Sequence, residues 1–336
     1  MSARVLDPAE IASRAQAALS GSFDAPSVTD VEQFVGGSSS LTYSAHLTTG
    51  DERRRIVVKV APPGLEPVRN RDVLRQARIL QLLGDVPEVA VPEVLATDPG
   101  EPVDVPPLFV MSFVPGESYE PQLAPARSTA TKREIEARAY AAARMGAALH
   151  AVPTVDPRLE GERLTDLEAE VGRWTRAFGS VDDDLRPGAD GVQSKLLASI
   201  PASGAPSVLH GDWRLGNMQC NGSAIDGVID WEIWSLGDPR LDLAWFLLLI
   251  DPAHPNKTQD DTGLPTPEEL TAAYGEASGR PIADLDWFAA LVRYKQAAAS
   301  ALIIKNNRKI QQPGVDIDRM FVALPKLLAW ADDLLS

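Results

Sequence analysis

His210-Gly211-Asp212-Trp213-Arg214-Leu215-Gly216-Asn217, followed by Ile229-Asp230-Trp231 with Asp230 thirteen residues beyond Asn217, carries the densest chemistry in the chain. A carboxylate, an amide oxygen and a second carboxylate fall within one short segment. A carboxylate can orient a hydroxyl group, and Asn217 and Asp230 supply the hard oxygen donors that Mg²⁺ prefers. Between them, Met218 to Ile229 reads as two short strands around the turn Asn221-Gly222. Such a hairpin returns Asp230 to the neighbourhood of Asn217, as a shared cation requires. Directly afterwards, Asp238-Pro239 places an acidic N-cap before a proline at the first helical position, a strong start for the apolar helix through Ile250.

Upstream of this segment the chain reads as strands around one helix. An opening helix spans about Asp7 to Leu19. Val31–Phe34 and Leu41–Leu47 read as strands flanking the turn Gly36-Gly37-Ser38-Ser39-Ser40, and Arg53–Val60 makes a third by its β-branched content. Leu74, Ala77, Ile79, Leu80, Leu82 and Leu83 recur at helical spacing before Gly84. Val91–Thr97 and Leu108–Val114 read as further strands, and Pro115-Gly116 ends this part. Helical patterns follow at about Thr131–His150, Arg163–Phe178, Pro239–Ile250, Pro267–Ala277 and Leu285–Asn306. The expected class is α+β in two parts, residues 1–112 with the sheet and residues 113–336 mostly helical.

Composition narrows the partners. The 336 residues suffice for two cores. The excess of 47 acidic over 32 basic residues, a net charge of −15, would repel a phosphate backbone, so no nucleic-acid partner is expected. The longest apolar run, Leu243–Ile250, is far short of the roughly 20 residues of a membrane helix, so no membrane partner is expected either. No secretory signal is read at the amino terminus. The single cysteine, Cys220, excludes an internal disulfide and fits a reducing cytoplasm. The four scattered histidines give no zinc pattern.

Taken together, these blocks resemble the aminoglycoside phosphotransferase and choline kinase family, small-molecule kinases that share the protein-kinase fold. The resemblance rests on the Gly-rich turn, Val58-Lys59, Val110–Gly116, Ala148-Leu149-His150, the His210-Gly211-Asp212 loop, Ile229-Asp230-Trp231 and Gly237–Ala244, in order over about residues 31 to 250. Within the family, the wording of Gly36–Tyr43, Leu209–Asn217 and Asp230–Pro239 is most similar to the kinase domains related to those fused to acyl-CoA dehydrogenases. The resemblance implies a bilobal fold, an antiparallel N-lobe sheet with one main helix, and a mostly helical C-lobe. It also implies an ATP- or GTP-dependent transfer of the γ-phosphoryl group to a hydroxyl of a small molecule, with Mg²⁺.

Residue by residue, the resemblance makes Asp212 the group that orients the acceptor hydroxyl and Arg214 a contact to the transferring phosphate. Asn217 and Asp230 hold Mg²⁺. Lys59 pairs with the inner phosphates, and the backbone of Gly36, Gly37, Ser38 and Ser39 covers them. Met111, Ser112, Phe113 and Val114 form the hinge that reads the base, and Asp242 supports the catalytic loop. Each has a plainer alternative: a turn for Asp212 and the glycines, loop caps for Asn217 and Asp230, a solvent-facing lysine for Lys59, a surface arginine for Arg214, a strand end for Met111–Val114, and a small buried hydrophobe for Cys220.

One position departs from the family. Where a glutamate usually pairs with the lysine, this helix carries Gln76, and Asp72 one turn earlier on the same face is the other candidate. The acceptor stays open between an aminoglycoside, another antibiotic and a hydroxyacyl-CoA or other metabolic alcohol. Trp287, Tyr294 and Lys295 are candidates for reading it or for core packing. A nucleotide-binding module without turnover is the alternative from another class. A kinase acting on polypeptides is disfavoured, because no Ala-Pro-Glu segment or activation loop fits between Asp230 and Asp238. Oligomeric state is not legible.

Overall fold

The computed structural model describes residues 6–34, 40–124, 128–310 and 316–336. Gly36, Gly37, Ser38 and Ser39 lie outside the described residues.

Five antiparallel strands, β1 (Ser27–Gln33), β2 (Leu41–Thr49), β3 (Glu52–Val60), β4 (Val94–Asp98) and β5 (Leu108–Ser112), form one sheet in the order β1-β2-β3-β5-β4. Apart from Lys59, central β3 is apolar on both faces beyond Arg55 because both faces are covered. Side chains alternate along a strand. Ile56, Val58 and Val60 join Ile11, Ala15 and Leu19 of helix α1 (Pro8–Leu19), whereas Val57, Phe109 and Met111 join Val73, Ala77 and Leu80 of helix α2 (Val73–Leu83). The same alternation turns Lys59 toward α2.

Beyond β5 the chain is mostly helical: α3 (Lys132–Ala151), α4 (Leu167–Phe178), α5 (Ala189–Ala198), α6 (Arg240–Ile250), α7 (Pro267–Ser278), α8 (Leu285–Ile310) and α9 (Ile317–Leu334). Strand β6 (Ser207–Leu209) pairs with β9 (Ser235–Gly237), and β7 (Met218–Asn221) pairs with β8 (Ala224–Val228). This is the α+β, kinase-like architecture the sequence implied. Beyond its first turn, helix α6 is apolar on all sides because it lies between two cores, giving Leu243 and Phe246 to one and Ala244 and Leu248 to the other. No helix among the described residues is long and apolar enough to cross a membrane.

Several boundaries differ from expectation. Helix α4 begins at Leu167 rather than Arg163, because the Asp166 carboxylate accepts the Ala169 N–H at 2.6 Å. Asp238 accepts the Arg240 N–H at 3.0 Å, yet α6 proper begins at Arg240. Helices α5 and α9 and the β6–β9 pair were not anticipated. Helix α9 contains Pro325, a residue that ordinarily ends a helix. It persists because Leu324, Leu327, Leu328 and Ala331 pack into the core shared with α8.

The connection out of β5 is pinned to the β7–β8 hairpin. Glu117 and Cys220 exchange both backbone hydrogen bonds at 2.9 Å, and Arg138 of α3 donates to Gly222 O and to Glu117, each at 2.7 Å. Gly116 has φ 132°, and a Cβ there would lie 2.7 Å from Cys220 O. Gly116→Ala is therefore expected to cost about 1–3 kcal/mol, read as a lower urea midpoint. An unchanged midpoint would show that this crossing tolerates a side chain.

Candidate active site

Strand β6 ends at Leu209, and the loop that follows from His210 is held from three directions. The buried carboxylate of Asp242, in the first turn of α6, accepts the N–H of His210 at 2.6 Å and of Gly211 at 2.9 Å. Burial acts to raise the Asp242 carboxyl, but bonding to His150 outweighs it and holds it below the usual range. Gly211 has φ 86°, and a Cβ would meet Ile233 O at 2.8 Å, so the position requires glycine. The His210 Nδ1 accepts the Asp212 N–H at 3.2 Å, which leaves Nε2 to donate to Ile229 O at 2.9 Å. Ile229 N in turn donates to Asn217 O at 2.9 Å. Through these bonds the hairpin closes, and the segments bearing Asn217 and Asp230 meet as the spacing predicted.

Three side-chain donors surround Asp212. Its Oδ2 accepts from Arg214 Nε at 2.9 Å and Asn217 Nδ2 at 2.8 Å, and its Oδ1 accepts from Trp245 Nε1 at 2.7 Å. Burial alone would raise this carboxyl, but Arg214, with help from Lys295, brings it down to about 2. Asn217 donates its second amide hydrogen to Asp212 O at 2.9 Å, so only its oxygen remains to offer a cation. Glu120, buried and unforeseen from the sequence, accepts the Gly216 N–H at 3.0 Å and stands 3.6 Å from the Arg214 guanidinium. Burial pushes its carboxyl up to about 7 against the pull of Arg214.

Lys59 enters from the sheet. Its Nζ donates to Gln76 Oε1 at 3.0 Å and lies 3.9 Å from Asp230 Oδ1. Gln76, not Asp72, is thus the partner. Asp72 is occupied as the N-cap of α2, accepting the Arg75 N–H at 2.9 Å. Asp230 itself sits in the left-handed region at φ 68° with its side chain 44% exposed, open to a ligand. Lys59, Gln76, Met111, Ile229 and Asp230 line one small cavity of about 10 Å³. Gln76→Ala is expected to release Lys59 toward Asp230 and to weaken nucleotide binding about tenfold, the scale of one hydrogen bond to a charged group. Nucleotide titration checks this, and unchanged affinity would remove Gln76 from the role.

Arg75, next to Gln76, bolts α2 to the helical lobe. Its guanidinium makes a two-pronged pair with Glu162 at 2.8 Å, donates to Trp234 O at 2.8 Å and stacks 3.9 Å from the Trp234 ring. Along Met111–Val114, the N–H of Ser112 is given to Glu93 O at 2.8 Å and that of Phe113 to Arg55 O at 3.4 Å. Base reading from this segment would therefore fall to Val114 and to carbonyl groups. Burial pushes the Cys220 thiol up to about 11, in keeping with a packed small hydrophobe. Of the three acceptor candidates, Trp287 donates to Leu196 O and Tyr294 packs on Phe178, so both belong to the core. Lys295 alone reaches the loop, donating to Gly211 O at 2.9 Å and lying 4.2 Å over the Trp245 ring.

The sequence pattern of the phosphotransferase enzyme family matches residues 30–291. A probable acyl-CoA dehydrogenase of Arabidopsis thaliana, IBR3, is 29% identical over 290 residues, which are 78% of this chain and 34% of that protein. The chain spans about a third of the length of such curated relatives, acyl-CoA dehydrogenase family member 11 of Homo sapiens among them at 23% identity over 80% of this chain and 35% of its own. Among solved structures, a provisionally assigned aminoglycoside phosphotransferase of Ralstonia eutropha JMP134 superposes with a TM-score of 0.73 at 24% identity, covering 91% of this chain and 92% of that one. The GDP complex of an aminoglycoside 2′-phosphotransferase-IIIa mutant superposes at 0.62 with 15% identity, over 97% and 98%. With a match across most of its length, and a fold that agrees, the chain belongs to the phosphotransferase enzyme family.

Proposed function

We propose that this protein transfers the γ-phosphoryl group of ATP or GTP to a hydroxyl of a small molecule, in a reducing cytoplasm. The observation that carries the reading is a chain of links among four residues: the Asn217 amide donates to Asp212, Ile229 N beside Asp230 donates to Asn217 O, and Lys59 lies 3.9 Å from Asp230. The GDP held by one structural neighbour supports the nucleotide. The donors suit Mg²⁺: Asn217 has only its oxygen left to give and Asp230 is open, and Mg²⁺ commonly takes one or two protein oxygens with the rest from phosphates. Bound there, the cation would neutralise charge between the phosphates.

Asp212 does the positioning. A carboxylate has about four acceptor sites; two on Oδ2 are filled by Arg214 and Asn217, and one on Oδ1 by Trp245. The remaining site on Oδ1 is where an acceptor hydroxyl would donate. With its carboxyl held near 2, Asp212 aligns the hydroxyl rather than removing its proton early, in keeping with a loose transition state. Lys59, held by Gln76, would steady the phosphates from the sheet side, and Arg214 could follow the transferring group.

One observation favours a metabolic alcohol, such as a hydroxyacyl-CoA, over an aminoglycoside. Around the catalytic loop, among the described residues, Asp212 and Glu120 stand beside Arg214 and Glu170 beside Arg173 and Lys295, so these three carboxylates already have cationic neighbours and offer a polycation less than the net charge of −15 suggests. The test is Mg²⁺-dependent ADP or GDP formation against a panel of aminoglycosides, macrolides, choline-like amines, sugars and hydroxyacyl-CoAs. Acceptor-dependent turnover that Asp212→Asn loses supports the reading. Nucleotide binding without turnover on any acceptor would point to a non-catalytic module.

A further inference from the structure

A cavity of about 380 Å³ opens between the carboxyl end of α3, strand β6, the start of α6 and the end of α7. Among the described residues, none of those assigned above to nucleotide, cation or acceptor lines it, and its volume falls among small-molecule sites, roughly 300–1,000 Å³. Ala147, Ala151, Ala205, Pro239, Pro281 and Ile282 make apolar walls. The floor is polar and buried: the Tyr274 hydroxyl lies 2.7 Å from His150 Nδ1, and His150 Nε2 lies 3.4 Å from Asp242 Oδ2. Asp242 is the group that holds the backbone of His210 and Gly211, so the floor of this cavity is two side chains away from the catalytic loop.

Charge at the rim is uneven. Arg240 is fully engaged, bonding Asp238 through two nitrogens and reaching Ala202 O, Ala283 O and Asp284. Asp238 is further satisfied by the Gly204 N–H at 2.7 Å. The guanidinium of Arg280 differs: among the described residues it has no ion pair and no side-chain hydrogen bond. A guanidinium fork suits a carboxylate or a phosphate. The adjacent carboxylates of Asp238 and Asp284 disfavour a dianion, and the apolar walls call for a hydrocarbon body.

We propose that this cavity binds a small monocarboxylic acid, its carboxylate on Arg280 and its apolar body against the alanine and proline walls, and that occupancy reaches the catalytic loop through Tyr274, His150 and Asp242. The probes are benzoate and hexanoate, with benzamide, hexanamide and inorganic phosphate as controls, titrated into the full chain by calorimetry and followed by NMR. At least one acid should bind at roughly millimolar concentration or below, with the amides and phosphate silent. Arg280→Gln should weaken binding about tenfold or more, and Ala205→Trp, which sets a large ring on the cavity wall, should weaken it as well, both with unchanged circular dichroism. No binding by either acid, equal binding by the amides, or undiminished binding by Arg280→Gln would overturn the site. The relay is read without turnover. Backbone amide resonances of His210 and Gly211 should shift when the acid binds and stay still in Tyr274→Phe; resonances that do not move in the wild-type chain would overturn the coupling.

Discussion

Asp212→Asn is expected to lower turnover by about a thousandfold or more, within the range of general acid–base groups, and to do so equally from pH 6 to 9. The size follows from the hydrogen bonds. Both oxygens of Asp212 face donors: Trp245 on one side, Arg214 and Asn217 on the other. An asparagine must turn its NH₂ toward one of them, setting donor against donor. If it faces Trp245, the site on Oδ1 that would receive the acceptor is lost. If it faces Asn217, the amide that should present oxygen to the cation is released. The pH independence follows from the carboxyl lying near 2, ionised throughout that window. Single-turnover measurement with saturating nucleotide checks both parts. A loss below about tenfold would make Asp212 a turn residue, and a loss confined to one end of the pH range would mean that a neighbour, Glu120 foremost, titrates in its place.

Arg75→Ala is expected to produce the largest loss of stability, about 3–5 kcal/mol, the scale for breaking one side of an enclosed ion pair. Arg75 and Glu162 are only 14% and 16% exposed, and with Arg75 gone the nearest cation to Glu162 is Arg78 at 3.9 Å. The Trp234 carbonyl and ring lose their partner as well. Arg75→Lys should recover part of the loss, since it keeps charge but neither the two-pronged geometry nor the stacking. The double variant Arg75→Ala/Glu162→Ala should be less damaged than the two single losses added together. Urea unfolding measures this, and strict additivity would show that the two side chains do not act as a pair. Nucleotide affinity should fall alongside, because Gln76 and hence Lys59 move with α2.

What could be read in advance follows sequence distance. Asp212, Asn217 and Asp230 sit within one short segment, and the turn between them is itself legible, so their meeting needed only local reasoning. The five strands and α2 were visible because β-branched runs and helical spacing are dense there. Gln76 and Asp72 share a helix face, and periodicity cannot choose between them; the choice lies in Asp72 serving as the cap, which depends on where α2 begins. Trp245 lies in an apolar run that resembles core on every side, yet its indole N–H reaches Asp212. Arg75 and Glu162 are 87 residues apart, and Glu120 is 96 from Gly216; no local pattern announces such pairs. Trp287 and Tyr294 looked equally suited to a pocket or a core, and only the packing of α4, α5 and α8 assigns them to the core.

Asp230 holds its left-handed backbone at the end of the hairpin, a conformation glycine adopts freely and aspartate only with strain. Asp230→Gly should therefore leave the fold as stable as before or slightly more so while removing an oxygen donor from the cleft. Selection for thermal stability alone would drift toward glycine at this position; on the proposed function, selection for chemistry would hold the carboxylate. A chain of this family that has given up catalysis should show the change here sooner than at Asp242, whose loss would unbind the loop itself.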